Sequence, residues 1–371
     1  NTYYYKCLGE IKGDLIFLTE NEGLLKYTQK SIIELLQCNP EFELSSEDII
    51  NVDKHFKSFK DFLIGLLTNE SDKKIFDQFM YLSFSKFKYL YENSAIPNNI
   101  KVKYTAEAAW FAINTYIYGY DLKTKVTSGN YYDVIPKKSR ILSKDFINEI
   151  EKSVLPFYDK LLSQGYWDKI TIIRYITDNV VLNKKYEVIF CDEAQDFSRV
   201  ELRFILYISE YMQYDLSNAP GVPIVFAGDA LQTVRPTGFR YSEVTDMLYE
   251  ELKEIAGFDL KTNSMSYNPT YNYRSSQQIV NIANAVQYFR KNKFKDSIES
   301  PQRAKMSEDS EDSCLNVFLS YEDVIDEVSL AKTLQYKSFI IPVNIDEKED
   351  YVKKYPFLQQ FESTIKTSIE A

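Results

Sequence analysis

Three short, uninterrupted apolar runs punctuate the chain: Leu15-Ile16-Phe17-Leu18, Val188-Ile189-Phe190-Cys191 and Pro223-Ile224-Val225-Phe226-Ala227. Runs of this length ending in a polar turn predict strands buried on both faces, and so a parallel sheet. Ligands gather just beyond the carboxyl ends of such strands. The residues standing there are Thr19, Asp192-Glu193 and Gly228-Asp229, all polar and small or acidic. Elsewhere the period lengthens. Ser198 with Glu201 makes a capping box, and Leu202, Ile205, Leu206 and Ile208 follow on one helical face. Ser275 or Ser276 caps another helix, with Ile279, Ile282, Ala283, Val286 and Phe289 along one stripe. From about Phe62 to Ile176 there is no strand pattern and much Tyr, Phe and Lys, which predicts a helical insertion. A polar loop, Ser307–Ser313, precedes two more strand-like runs, Leu315–Leu319 and Ser338–Val343.

A chain of 371 residues needs two or three domains. The balance of 44% hydrophobic and 26% charged residues is that of a globular protein, and 30 Tyr with 24 Phe fit the bias of an AT-rich genome. No apolar run is long enough to cross a bilayer and no basic-apolar leader opens the chain, so no membrane is expected and the cytoplasm is. Cys7, Cys38, Cys191 and Cys314 are scattered, and His55 is the single histidine. That excludes an ordinary zinc site and fits reduced thiols. A net charge of −10 argues against a coat for duplex DNA. It leaves open a single-strand groove, where stacking on aromatic rings adds to phosphate contacts.

The densest chemistry lies in VIFCDEAQDFS, residues 188–198. A strand ending in Asp-Glu aims two carboxylates from one tip. Asp192 suits a hydrated Mg²⁺, a hard ion that prefers oxygen ligands and keeps its waters. Glu193 suits activation of a water that attacks a γ-phosphate. Alone, such a pair also reads as a helix start with favourable negative charge. Further on, Gly228-Asp229 and Gln232 come after the third apolar run; Gln232 is placed to sense a γ-phosphate or simply to make a turn. In Tyr271-Asn272-Tyr273-Arg274-Ser275-Ser276, Arg274 reads as an arginine finger from a second domain or as a surface residue at a helix start.

In order, DEAQD, GDALQ and NYRSS resemble motifs II, III and IV of the UvrD/Rep family of superfamily 1 DNA helicases. The resemblance implies an α/β protein: a RecA-like parallel sheet flanked by helices, of P-loop NTPase type, then a partial second RecA-like domain. Residues 1–61 and 181–268 would form the first domain around a helical insertion at 62–180, and 269–371 would begin the second. It implies ATP and Mg²⁺ as cofactors and single-stranded DNA as partner to a monomer. Asp192 would hold the magnesium through water, Glu193 would be the base, and Gln195 and Asp229 would assist at the nucleotide. Gln232 would be the γ-phosphate sensor, Arg274 the finger and Tyr273 the ring that stacks on adenine. Phe239-Arg240 resembles the pair that stacks on a DNA base, with core packing the equal alternative for Phe239. LIFLTENEG resembles motif Ia, which contacts DNA through Thr19, although Glu20 stands where an aromatic is usual. His55-Phe56-Lys57-Ser58-Phe59 resembles motif Ib. It brings Phe56 and Ser58 to DNA within a basic-aromatic run from Lys54 to Lys60, a run that also reads as an ordinary amphipathic helix start.

None of the 11 glycines precedes a lysine, so the phosphate loop GxxxxGK[ST] is missing, as are motifs V and VI. Thr2–Leu8 resembles the family's segment just after that loop. The chain as given is therefore expected to bind ATP weakly and hydrolyse it negligibly, as an excised piece of an active helicase. The alternatives are a degenerate module kept for protein contacts and a nuclease or toxin subunit using the acidic cluster for metal.

Overall fold

Four strands pair in parallel in the order β2-β1-β3-β4: β1 (Asp14–Thr19), β2 (Phe56–Ser58), β3 (Tyr186–Cys191) and β4 (Ile224–Phe226). This computed structural model describes residues 14–38, 52, 54–182, 186–209, 224–229, 270–294, 301–305, 339–341, 348–356 and 365–367. The three apolar runs are strands, and the central two register Leu18 against Cys191. Sheet and helices together make an α/β protein. Residues 56–58 are a strand, not a helix start. Phe56 and Ser58 point inward and Lys57 outward, and the helix begins only at Phe59.

The chain divides into two compact units, Asn1–Ser264 and Met265–Ala371. In the first, the helices are α1 (Glu22–Gln37), α2 (Phe59–Gly65), α3 (Glu70–Ile75), α4 (Phe84–Glu92), α5 (Asn98–Lys103), α6 (Ala106–Phe111), α7 (Tyr131–Val134), α8 (Lys144–Ser153), α9 (Leu155–Ser163), α10 (Lys169–Asn179) and α11 (Arg199–Tyr207). One core lies between the sheet and α2, α10 and α11, where Leu18, Phe59, Ile173, Phe197 and Ile205 are all buried. A second core belongs to the helices between α4 and α9. Tyrosines build much of it, and burial demands a partner for each hydroxyl. Tyr91 donates to the Tyr104 carbonyl at 2.6 Å, Tyr116 to that of Ser139 at 3.1 Å, and Tyr158 to the Asp168 carboxylate.

The helical layer is tied to α11 through residues 118–121. A π-helix (Ala112–Ile117) runs into Gly119, where a Cβ would lie 1.6 Å from the Asn114 carbonyl oxygen, so only glycine fits. The Gly119 carbonyl accepts from Val200 at 3.1 Å, in the first turn of α11. Arg203 pairs with Asp121 at 2.5 Å, and Arg174 donates to the carbonyls of Tyr118 and Asp121. The described helices include none long and apolar enough to cross a membrane.

In the second unit β5 (Tyr271–Asn272) pairs in parallel with β6 (Arg303–Ala304), and β7 (Phe339–Ile341) with β8 (Ile365–Thr367). It also holds α12 (Gln277–Phe294) and α13 (Lys348–Lys354). On α12 only Val280 is buried, whereas Ile279, Ile282, Val286 and Phe289 are exposed. The expected apolar stripe thus has no cover among the described residues. The expected loop 307–313 and strand 315–319 lie outside those residues.

Candidate functional site

Strand β3 delivers its two carboxylates between its neighbours. The Asp192 amide donates to the Leu18 carbonyl of β1 at 2.9 Å, and the Cys191 carbonyl accepts from Ala227, beyond β4, at 2.8 Å. Asp192 Oδ1 accepts from the Glu193 amide at 2.9 Å; its other oxygen has no hydrogen-bond partner among the described residues. Burial pushes the Asp192 carboxyl above its usual range, the neighbouring Glu193 charge adds to this, and the Glu193 amide opposes it. The buried Cys191 thiol is pushed well up by desolvation and by the charges of Glu20, Asp192 and Glu201.

Glu193 is left-handed, at φ 54 and ψ 44, the only non-glycine residue with positive φ among those described. For a residue with a Cβ that conformation costs about 1–2 kcal/mol, and it turns the chain into a 3₁₀ turn, Ala194–Asp196. Gln195, only 2% exposed, closes the turn. Its amide nitrogen donates to Glu193 Oε2 at 2.5 Å and its oxygen accepts from the Asp229 amide at 2.9 Å. A carboxylate needs a donor and an N–H needs an acceptor, so these partners dictate which way the amide faces. Ala194 also donates to the Ala227 carbonyl at 2.8 Å. Gly228 permits this approach, since a Cβ there would stand 2.4 Å from Gln195 Oε1 and 3.0 Å from the Ala194 nitrogen. Asp192, Glu193, Gln195 and Asp229 therefore form one hydrogen-bonded cluster at the carboxyl edge of the sheet. Neither a protein-family model nor a curated protein matches this chain.

Near Cys191 lies a group of charges that the sequence did not reveal. Lys169, the first residue of α10, pairs with Glu20 at 2.7 Å and with Glu201 at 2.6 Å. Both carboxylates are nearly buried. Glu201 also completes the expected capping box, accepting from the Ser198 amide at 2.6 Å. One ammonium thus links the end of β1, the start of α10 and the helix after the acidic turn. No short-range pattern announces a pair between residues so far apart; the only hint is Glu20, a charge directly after an apolar strand.

Thr19, Phe56 and Ser58 are buried. The Thr19 hydroxyl accepts from the Asn21 amide at 3.3 Å, and Asn21 caps α1. The Phe56 ring lies 5.1 Å from that of Phe17 and is 4% exposed, so it offers no open face for stacking. Ser58 caps α2 and donates to Asp61 at 2.8 Å. In the second unit, the Asn272 side chain accepts from the amides of Arg274 at 3.0 Å and Ser275 at 2.8 Å. Tyr273 is 69% exposed, Arg274 is exposed too, and α12 begins just beyond. Gln232, Phe239 and Arg240 lie outside the described residues. Among the described residues there is no group of three or more His, Cys, Asp or Glu that could hold a metal ion without other ligands.

Proposed function

We propose that this chain carries the ATP-hydrolysing core of a DNA helicase or translocase of UvrD/Rep type, its parallel sheet being the first RecA-like layer. The observation that carries the reading is Glu193, held left-handed at a strand tip and hydrogen-bonded through Gln195 to the next strand's Asp229. A scaffold kept only for protein contacts gains nothing from that strain, whereas a base must be aimed. Asp192 fits a hydrated Mg²⁺. It offers one carboxylate oxygen with no described partner, and its charge, disfavoured by burial, would be stabilised by a cation. The metal would neutralise phosphate charge; Glu193 would orient water, and Gln195 would relay the state of Glu193 to the backbone at Asp229. In the same reading Arg274 would serve the phosphates of the nucleotide and Tyr273 its adenine.

The test is phosphate release stimulated by single-stranded DNA, measured on the full-length protein. Glu193→Gln is expected to lower turnover by about 10²–10⁴-fold while nucleotide binding persists. Turnover that survives the change would remove Glu193 from its assigned role.

A further inference from the structure

The alternation of cations and rings from Lys54 to Lys60 suggests a single-strand groove, yet its rings, Phe56 and Phe59, are core residues. What that segment leaves outside is cationic: Lys57 is exposed, and Lys60 Nζ lies 5.4 Å from the ring centroid of Tyr81. Lys60 is in the first turn of α2, directly after β2, at the same sheet edge as Asp192 and Glu193.

Accessible rings come from the helical layer beside it. Residues 78–91 hold six aromatics and two lysines and no carboxylate, in a chain with 54 Asp and Glu. Phe79 is 87% exposed and Tyr89 67%. Lys86 stands among them. Its ammonium donates to the Phe79 carbonyl at 2.6 Å and lies 4.8 Å from the Tyr166 ring centroid. Tyr89 comes one helical turn after Lys86 on the same face of α4. Tyr166 reaches this place because Gly165 turns left-handed at φ 90 and because Trp167 pairs with residues 80–82, at 3.1 Å to the Met80 carbonyl. Of the acids nearby, Asp77 accepts from the Phe79 amide at 2.8 Å and Glu107 pairs with Lys88 at 3.0 Å, while Glu92 stands exposed one turn beyond Tyr89.

We infer that this face of the helical layer is a contact surface for single-stranded nucleic acid, with Phe79 and Tyr89 stacking on bases and Lys86 meeting a phosphate. Two exposed rings with a lysine between them along the chain match a partner that presents π-faces and negative charge in alternation. The inference rests on the proposed function only for choosing DNA as the strand. It needs no hydrolysis.

The test measures binding of a fluorescein-labelled oligo-dT 20-mer to the purified chain by anisotropy, without nucleotide, across a salt series. The Phe79 and Tyr89 side chains are exposed, so circular dichroism melting is expected to be unchanged in their double variant. Phe79→Ala with Tyr89→Ala is expected to weaken binding at least about 30-fold, from stacking of about 1–3 kcal/mol per base. Lys86→Gln is expected to lower the slope of log affinity against log salt by about 0.7. A folded chain that ignores oligo-dT, or a double variant that binds it like the wild type, overturns the inference. So does self-association that the double variant abolishes while DNA binding stays intact. Loss of binding in the double variant together with no phosphate release from the unaltered protein, with or without DNA, would sustain the surface and sink the hydrolase reading; the reverse pair of results would do the opposite.

Discussion

Two turns sit at strand ends, and they are built differently. The acidic turn after β3 is held at each residue from Asp192 to Gln195: by the neighbouring strands, by the Gln195 amide, and by a glycine that lets two segments touch. The turn after β5 is held by one side chain, Asn272, and it leaves Tyr273 and Arg274 in solvent. The difference is one of pre-organisation. A group that must place a water within a fraction of an ångström belongs on a cross-braced turn.

The comparison breaks first at Lys169. Replacing it with Met leaves Glu20 and Glu201 nearly buried without their shared cation, and losing one partner of a buried ion group costs about 3–5 kcal/mol. The urea midpoint should fall accordingly, and adding Glu20→Gln should recover part of the loss. A change below about 1 kcal/mol would mean that the charges are solvated and brace nothing. Next in size is Gly228→Ala. The added methyl displaces the Gln195 amide and breaks its bond to Asp229, at a cost of about 1–3 kcal/mol. The proposed hydrolysis should slow with it, measured as phosphate release. Unchanged turnover there would detach Gln195 from the chemistry.

How much could be read in advance depended on the range of the forces involved. The runs at 15–18 and 188–191 betray β1 and β3 because central parallel strands must be apolar on both faces, and the Ser198–Glu201 box is legible because both its bonds lie within one turn. Thr19 and Phe56 sit where the resemblance places motif residues, but whether a side chain points into a groove or into the core depends on what packs behind it, and neither spacing nor motif carries that. Phe56 faces Phe17 from a neighbouring strand. The abundance of tyrosine reads from composition alone as genome bias; in the fold, several form the helical layer's core because carbonyls from distant loops answer their hydroxyls. Lys169 was invisible for the same reason: each of its carboxylates comes from another segment.

The smallest effect sharpens the comparison most. Asn272→Ala removes the acceptor for two partly exposed amides, which is worth about 1 kcal/mol. Amide exchange at Arg274 and Ser275 should therefore speed up about fivefold, while exchange at Glu193, Ala194 and Asp229 stays as it was. Global stability should hardly move, since no buried side chain loses a neighbour. If the exchange at Arg274 does not change, the turn is held by more than Asn272, and the two turns are alike in construction after all. If it rises far more than fivefold, Asn272 also anchors β5 to β6 through its 3.3 Å contact with Gln302, and the open turn depends on its strand as the acidic turn does on its sheet.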